Sequence, residues 1–502
     1  MKQLSFILIP ILASVNLLTC VGVQAGSVNS WTGGNGNYYW QQDGNWSDGH
    51  APNSSYSWIY LTNTSPSLVV VHSYIPSNTL TMSNLALGAP PGVTNTLSIG
   101  YVVTGYPPFT LTDGPFEVLN ELDINSGGKL WISCLSTTRV DSVSGGYFTV
   151  SGIAQMDDGL LVTTNATTEI GQSGSGNFTM NGGLWQAGYI RSGSAAGRSG
   201  TLTMNGGNVS ASILHIGASG STGMVCVTGG QLTVATNAYL YVGFYGTGTL
   251  VVSNGTVSTG EIIVPGGDNT SAGTVLVAGG TLSATTLDQG PNGIVSFPAG
   301  TILAQSAYLI PPFSIGDGSR TAQFVMQGGE QNFGGGLLRV CNNATLSGCG
   351  NIEGFVNVDP GGTWLADCGG TVSCEYAVTN NGTIRATNGS TIEVSDILVN
   401  NGTIDVINGS LKLDGSFINN GTLLDASSVS ISHAAVSGAD VTVRIPSAVG
   451  HTYQLQWSSS LSPAIWTPDG SQAGNGSELV FTDSGGATNS TARFYRVSVS
   501  AP

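Results

Sequence analysis

The chain has 502 residues, of which 74 are Gly, and only 8 % are Asp, Glu, Lys or Arg. So small a charged fraction argues against helical bundles, coiled coils and most α/β enzymes, because the outer faces of their helices need charged side chains. The net charge of −16 repels phosphate and anionic lipid, which argues against nucleic acid and membrane surfaces as partners. The composition therefore predicts an all-β protein.

Residues 1–25 have the features of a secretory signal peptide. Lys2 supplies a positive charge, an apolar stretch covers residues 6–18, and Val23-Gln24-Ala25 forms a small-residue cleavage site. We therefore expect the mature chain to be secreted or held at the cell surface, with no transmembrane segment once the signal is removed. The alternatives are a retained membrane anchor, for which the apolar stretch is short, and lipidation at Cys20, for which Thr19 is a poor fit.

Residues 26–144 are predicted to be an N-terminal cap with the first, irregular coils of a repeat domain. Trp31, Trp40 and Trp46 lie close together among Gly and Asn residues. A repeat domain leaves the core and the strand edges of its first unit open, and a capping segment covers them. The tryptophans either pack in the core of this cap or stack on carbohydrate.

Residues 145–430 contain a repeated pattern, in which a short alternating strand is followed by two corner residues. The second corner positions are Gly183, Gly207, Gly230, Gly255 and Gly280, separated by 24, 23, 25 and 25 residues. A period in the low twenties indicates an architecture in which each unit buries its apolar face by stacking on the next. Three short strands per unit, joined by Gly-rich corners without helical periodicity, predict the coils of a parallel β-helix.

The inward side chains of each coil are predicted from the alternation along its second and third strands. The inward residues of the second strand are Trp185, Val209, Leu232, Val257 and Leu282. Those of the third strand include Ile190, Leu214, Leu240, Ile262 and Leu287.

The outward side chains of the third strand are the candidate ligand-binding residues. They are Tyr189, Arg191, His215, Tyr239, Tyr241 and Glu261. Stacked coils should align them as a ladder on one face, where flat Tyr rings and hydrogen-bonding Arg, His and Glu suit a neutral or basic glycan. The alternative is that they are ordinary outward side chains that happen to be large.

A tighter repeat of Asn-Asn-Gly-Thr begins at Asn380, Asn400 and Asn419, with spacings of 20 and 19 residues. Stacked Asn side chains can hydrogen-bond along the axis as a ladder. In the same register, Glu393 and Lys412 are predicted to form an exposed ion pair between neighbouring coils. With about 23 residues per coil, residues 145–430 give roughly 12 coils and a rod roughly 60 Å long.

Four cysteines cluster at Cys341, Cys349, Cys368 and Cys374. An exported chain permits disulfides, and the spacing lacks the short Cys-x-x-Cys pairs of a zinc site. We expect local disulfides, with free thiols as the alternative. The spacing leaves the pairing open.

Residues 431–502 are predicted to form a small antiparallel β-sandwich. Short alternating strands at residues 441–443, 453–457, 479–481 and 494–497 are separated by Gly, Ser and Pro turns.

These motifs together resemble the autotransporter-associated β-strand repeat proteins exported by many Gram-negative bacteria. The resemblance lies in Trp31-Thr32-Gly33-Gly34-Asn35-Gly36, the Thr-Leu-x-x-x-Gly-Gly repeats, residues 346–354 and Gly361-Gly362-Thr363-Trp364-Leu365. The C-terminal stretch from Tyr453 is similar to a module that ends many such proteins. The resemblance implies a right-handed parallel β-helix at the cell surface with an adhesive or structural role.

The sequence marks no catalytic site. Hydrolysis of a polysaccharide needs two carboxylates on one face, and the adjacent pair Asp157-Asp158 fits a polar corner of a coil better. Lyase, calcium-loop, phosphate-loop and serine-hydrolase motifs are absent, so no catalytic residue, metal or cofactor is assigned.

We therefore expect a structural or adhesive protein that binds extracellular polysaccharide or cell-surface material and is not an enzyme. The alternative is a polysaccharide-degrading β-helix enzyme, a glycoside hydrolase or lyase, with a poorly marked site. The sequence leaves the oligomeric state open.

Overall fold

The computed structural model describes residues 27–52, 56–71, 80–100, 116–133, 137–140, 145–268, 270–489 and 492–500. The predicted signal peptide, residues 1–25, lies outside these ranges. Within them, no helix combines the length and the apolar composition that a membrane crossing requires. Strands make up 62 % of the chain and helices 1 %, which confirms the all-β prediction.

Most of the chain is a parallel β-solenoid of about 15 turns, built from a 35-stranded sheet. The strands before the regular repeats are β1 (Ser27–Ser30), β2 (Tyr56–Leu61), β3 (Ser67–Val71), β4 (Leu80–Leu87), β5 (Asn95–Ile99), β6 (Phe116–Ile124), β7 (Gly128–Ile132), β8 (Thr137–Val140), β9 (Gly146–Val150), β10 (Ile153–Met156) and β11 (Leu160–Ile170). The regular repeats contain β12 (Ser175–Met180), β13 (Leu184–Ser192), β14 (Ser199–Met204), β15 (Asn208–Ile216), β16 (Thr222–Val227), β17 (Gln231–Val234), β18 (Tyr239–Val242), β19 (Thr247–Val252) and β20 (Thr256–Val264).

Longer strands follow, and the solenoid ends in short ones. The long strands and the short strand between them are β21 (Ala272–Gln289), β22 (Gly293–Tyr308), β23 (Phe313–Ile315), β24 (Ala322–Val340) and β25 (Ala344–Val358). The short strands are β26 (Thr363–Ala366), β27 (Thr371–Cys374), β28 (Val378–Asn380), β29 (Thr383–Ala386), β30 (Thr391–Val394), β31 (Leu398–Asn400), β32 (Thr403–Asp405), β33 (Ser410–Leu413), β34 (Phe417–Asn419) and β35 (Thr422–Leu424). Short 3-10 helices cover Asp43–Asn45 and Ala426–Ser428.

Each regular coil contributes to three parallel ladders, as predicted. The first ladder joins β12, β14, β16 and β19. The second ladder runs through the first half of β13, the first half of β15, then β17 and the first half of β20. The third ladder runs through the second half of β13, the second half of β15, then β18 and the second half of β20. The second and third strands of a coil therefore run together in β13, β15 and β20, because only Gly188 and its partner Ser212 interrupt the pairing between β13 and β15.

The predicted inward residues of the second and third strands are all buried in one continuous core that follows the axis. Trp185 is fully buried, and its Nε1 donates to Thr163 Oγ1 at 2.9 Å. Because every coil covers the apolar face of the one before it, burial of these side chains supplies most of the stabilising free energy.

The Gly-Gly corners need glycine for two separate reasons. Gly207 and Gly230 have φ of 73° and 71°, a region that side-chain-bearing residues rarely adopt. A Cβ on Gly230 would also lie 2.2 Å from the Gly207 carbonyl oxygen of the preceding coil. A Cβ on Gly255 or Gly280 would also lie too close to backbone atoms of the preceding coil, but neither glycine has a positive φ.

The N-terminal tryptophans pack in the interior. Trp31, Trp40 and Trp46 are buried, and Trp46 Nε1 donates to the Trp40 carbonyl at 2.8 Å. Trp40 contacts Phe116 edge to face at 5.9 Å between ring centroids. Core packing, and not stacking on carbohydrate, is therefore what these three rings do.

The predicted Asn ladder is present, and a second one runs beside it. Asn380 Nδ2 donates to Asn400 Oδ1 at 2.8 Å, and Asn400 Nδ2 donates to Asn419 Oδ1 at 2.7 Å. Asn381, Asn401 and Asn420 form the same chain of bonds on the outside.

The other predicted contact between coils is also formed. The exposed Lys412 Nζ lies 2.5 Å from Glu393 Oε1, in the register that pairs β30 with β33.

One disulfide forms within the cysteine cluster, between Cys349 and Cys368, whose Cα atoms are 5.9 Å apart. It ties β25 to the turn before β27. Cys341 and Cys374 are buried free thiols, and the partly exposed Cys226 is also free. Local disulfides and free thiols, the two alternatives for the cluster, thus both occur.

The C-terminal region is a pair of three-stranded antiparallel sheets, as predicted. One sheet contains β36 (His433–Ser437), β37 (Asp440–Pro446) and β40 (Glu478–Asp483), and the other contains β38 (Thr452–Ser458), β39 (Thr467–Ala473) and β41 (Phe494–Ser500). Side chains from both sheets form a small core of their own. The module contacts the solenoid where His451 Nε2 lies 2.8 Å from Asp405 Oδ2, with both side chains buried.

The rod is longer than the estimate from residues 145–430, because parallel pairing already begins between β1 and β2. About 15 turns at about 4.8 Å each give a solenoid about 70 Å long.

Candidate functional site

The six candidate residues lie together on the third ladder, on four consecutive coils. Register pairs Arg191 with His215, His215 with Tyr241, and Tyr239 with Glu261. They form two outward columns, one containing Tyr189, Tyr239 and Glu261 and the other Arg191, His215 and Tyr241. We call these six residues the aromatic patch.

The rings of the patch contact one another between and within coils. Tyr189 and His215 meet edge to face with centroids 4.8 Å apart, and His215 meets Tyr241 in the same way at 5.0 Å. Tyr239 and Tyr241 stack at 5.4 Å with 29° between their planes. The rings of the patch therefore form one connected cluster rather than a set of separate rings.

His215 differs from the prediction, because it is only 7 % exposed. Phe244, in the corner that follows β18, covers it at 3.9 Å between centroids. Burial, with a smaller effect from the charge of Arg191, lowers the pKa of His215 to about 4. The neutral ring shares a hydrogen bond with Tyr189, with 2.6 Å between Tyr189 Oη and Nδ1. His215 thus holds the tyrosines in place beneath the surface and is not a ligand-facing group.

Arg191 is also largely engaged within the protein. Its Nη1 lies 3.0 Å from Oε1 of the buried Glu169, one coil earlier. Its guanidinium carbon lies 4.6 Å from the centroid of the Tyr189 ring, a cation–π contact. The ion pair with Glu169 holds the guanidinium of Arg191 against the Tyr189 ring, so Arg191 supports the position of Tyr189.

Tyr239 is the exposed member of the patch, and Tyr189, Tyr241 and Glu261 are partly exposed. Tyr239 is 44 % exposed. Beside it lies a shallow groove of about 240 Å³. Besides Tyr239 and Glu261, the groove is lined by Thr236, Asn237, Ala238, Gly260, Thr285 and Thr286.

Further aromatic residues on the same face were missed by the sequence reasoning. Trp58 and Tyr60 stack at 5.7 Å near the N-terminal end, and Tyr147 and Tyr308 are exposed. Register places Tyr147 beside Thr167, which in turn pairs with Tyr189. The signal that could have found them is the coil period, which continues through the irregular coils at both ends of the repeats.

The other two faces of the same coils are chemically different. Outward positions of the first ladder are Asn177, Thr179, Thr201, Thr203, Met224, Cys226, Thr249, Val251, Thr274 and Leu276. Those of the second ladder are Leu184, Gln186, Asn208, Ser210, Gln231, Thr233, Thr256, Ser258, Thr281 and Ser283. None of these twenty positions carries an aromatic or charged side chain, so the aromatic patch distinguishes one face of the rod.

A pair of carboxylates also escaped the sequence reasoning. Asn332 Nδ2 donates to Glu330 Oε1 at 2.8 Å and to Glu353 Oε2. A hydrogen bond with Glu330 and its negative charge, together with desolvation and the charge of Glu375, raise the pKa of Glu353. Glu330 and Glu353 are one coil period apart in sequence, and that spacing is the signal that could have paired them.

The pair Asp157-Asp158 is a polar corner, as expected. Asp157 accepts hydrogen bonds from Trp131 Nε1 at 2.6 Å and from Asn181 Nδ2 at 2.7 Å. Asp158 accepts from the Gly159 backbone at 2.7 Å. Both carboxylates are therefore occupied by the coil structure.

In the part of the chain that the structure describes, no three His, Cys, Asp or Glu residues are arranged to hold a metal ion. Comparisons with protein-family models, curated proteins and solved structures find no match to this chain. The fold and the patch define a class, a parallel β-solenoid with one aromatic and acidic face.

Proposed function

We propose that this protein is a secreted or surface-associated structural and adhesive β-solenoid, similar in kind to the autotransporter-associated repeat proteins, and that its aromatic patch binds polysaccharide. The observation that carries the proposal is the alignment of Tyr189, Tyr239 and Tyr241 on one face of coils whose other faces carry no ring. Tyr rings offer an apolar surface to the flat side of a sugar and a hydroxyl to its edge.

The spacing of the coils supports a polymer rather than a small ligand. Neighbouring coils are about 4.8 Å apart, close to the length of one pyranose unit in an extended chain. A glycan lying along the axis therefore meets equivalent positions on consecutive coils. The net charge of −16 favours neutral or basic glycans over acidic ones.

The test is retention of the purified protein on a panel of insoluble polysaccharides. We expect the variant Tyr189→Ala/Tyr239→Ala/Tyr241→Ala to lose retention that the wild type shows. Tyr239→Ala alone removes one exposed ring and should weaken the retention.

The matched control is Thr201→Ala/Met224→Ala/Thr249→Ala, which changes outward residues that neighbouring coils align on the first ladder. This control should bind like the wild type. Equal retention of all variants, with unfolding temperatures showing that each is folded, would refute the proposal.

A second candidate function, hydrolysis of a polysaccharide, is favoured by the Glu330 and Glu353 pair. Asn332 holds the two carboxyl groups close together, and the raised pKa of Glu353 favours its protonated form, so Glu353 can act as an acid and Glu330 as a base. The test is release of reducing ends from the same polysaccharides. If the wild type releases reducing ends and Glu353→Gln does not, the function is catalysis rather than binding alone.

A further inference from the structure

The face that carries the aromatic patch is acidic as well as aromatic. The carboxylates in its two columns between β6 and β25 are Glu121, Asp123, Glu169, Glu261, Asp288, Glu330 and Glu353. Among the described residues of these columns, Arg191 is the single Lys or Arg. A ligand on this face therefore meets a negative surface.

Two of these carboxylates, both near Tyr239, have no partner among the described residues. Glu169 pairs with Arg191, Asp123 accepts from Thr149, and Glu353 accepts from Asn332. In contrast, the carboxylates of Glu261 and Asp288 have neither a hydrogen bond nor an ion pair with any residue that the structure describes. Both are half-buried.

These two carboxylates lie beside the exposed tyrosine. Glu261 pairs in register with Tyr239 on one side and with Thr286 on the other, and Asp288 is the next outward residue after Thr286. Glu261 also lines the groove next to Tyr239. Burial raises the pKa of each, and the charge of Asp288 raises that of Glu261 further. A cation placed between them would relieve both effects.

We infer that the aromatic patch selects polysaccharides that carry positively charged amino groups, with Tyr239 and Tyr241 stacking on the sugar rings and Glu261 and Asp288 pairing with the ammonium groups. The inference rests on the proposed function, because it needs a glycan on this face. An ammonium group offers three donors and one positive charge, which supplies what the two unpaired carboxylates lack. A neutral glycan would use the rings and leave the carboxylates unpaired.

The experiment compares soluble oligomers of glucosamine and of N-acetylglucosamine of matched length, titrated into the full chain by calorimetry at about pH 6, where ordinary carboxylates are ionised. We expect the glucosamine oligomer to bind about two- to twentyfold more tightly than its acetylated counterpart, the range that one or two exposed ion pairs supply. Added salt should reduce this preference.

The variant Glu261→Gln/Asp288→Asn keeps the shape of the site and removes its charge. We expect it to lose the preference and to bind the two oligomers about equally. Glu393→Gln is the matched control, because Glu393 lies outside the patch and is already paired with Lys412. That variant should keep the preference.

The outcomes separate this inference from the proposed function. If the acetylated oligomer binds as well as the glucosamine oligomer, or if Glu261→Gln/Asp288→Asn keeps the preference, the inference is wrong and glycan binding by the tyrosines stands. If neither oligomer binds the wild type and no polysaccharide retains it, both are wrong.

Discussion

At the residue scale, the stability of this protein depends on where a polar side chain sits relative to the core. The two parallel Asn ladders make the comparison direct, since they have the same chemistry and nearly the same positions. Asn400 is fully buried and bonds to Asn380, Asn419 and the Thr422 carbonyl, whereas Asn401 is exposed.

Replacing Asn400 by Ala should lower the free energy of unfolding by about 2 kcal/mol, because it removes a fully buried amide and leaves the buried amide of Asn380 with one partner fewer. Asn401→Ala, the control, should cost less than about 0.5 kcal/mol, since water replaces the lost bonds. Denaturant unfolding measures both. Equal losses would show that the buried ladder has no special role.

His215 predicts a pH dependence of stability. Its pKa is about 4 in the folded chain against 6.5 in the unfolded chain, so between these values the unfolded chain binds the proton and the folded chain does not. Stability should therefore fall as the pH drops from 6.5 to 4, by at most about 3 kcal/mol, with no further loss from this group below 4.

The measurement is the free energy of unfolding against pH for the wild type, His215→Gln and His433→Gln. The first variant should flatten the slope between pH 6.5 and 4, and the exposed His433 should not affect it. An unchanged slope in His215→Gln would contradict the assignment.

The sequence predicted which residues share the patch but not how deeply each one lies. The alternation of inward and outward side chains placed Tyr189, Tyr239 and Tyr241 on one face, because a strand has period two. It could not show that Phe244 covers His215, because that contact depends on how the corner after β18 folds.

At the element scale, the corners between strands set the coil shape. Gly230 and Gly197 have nearly the same φ, 71° and 70°, but their surroundings differ. A Cβ on Gly230 would lie 2.2 Å from backbone oxygen, and one on Gly197 would meet nothing within 4 Å.

Gly197→Ala should therefore cost only the backbone strain, about 1 kcal/mol. Gly230→Ala should cost at least twice as much, because the preceding coil must also move. Hydrogen exchange in β16 and β17 should rise in Gly230→Ala, since coils depend on their nearest neighbours. If the two variants lose similar amounts of unfolding free energy, the preceding coil accommodates a Cβ at position 230 without a measurable loss of stability.

Strand positions were predictable where the period is regular and less so elsewhere. The Gly-Gly corners marked β12 to β20 correctly. From β21 to β25 the strands other than β23 are long and run through glycine pairs such as Gly279-Gly280, so that one strand covers what the pattern predicts as several. The pattern predicts separate second and third strands in each coil, but in β13 and β15 the two are one strand in which only Gly188 and Ser212 are left out of the pairing.

At the scale of the whole molecule, we propose that a β-solenoid about 70 Å long presents one aromatic and acidic face to a polysaccharide. The architecture followed from the repeats, because stacked units are the way such short apolar strands bury a core. The ligand did not follow, since the same fold hosts unrelated functions.

The most direct test is the affinity of the wild type for oligosaccharides of increasing length, taken from a polysaccharide that retains the protein. The patch spans four coils, about 14 Å, so affinity should rise with each sugar up to about four units and then level off. In Tyr239→Ala/Tyr241→Ala the rise should disappear. Affinity that does not depend on length, or that rises equally in the variant, would contradict a polysaccharide lying along this face.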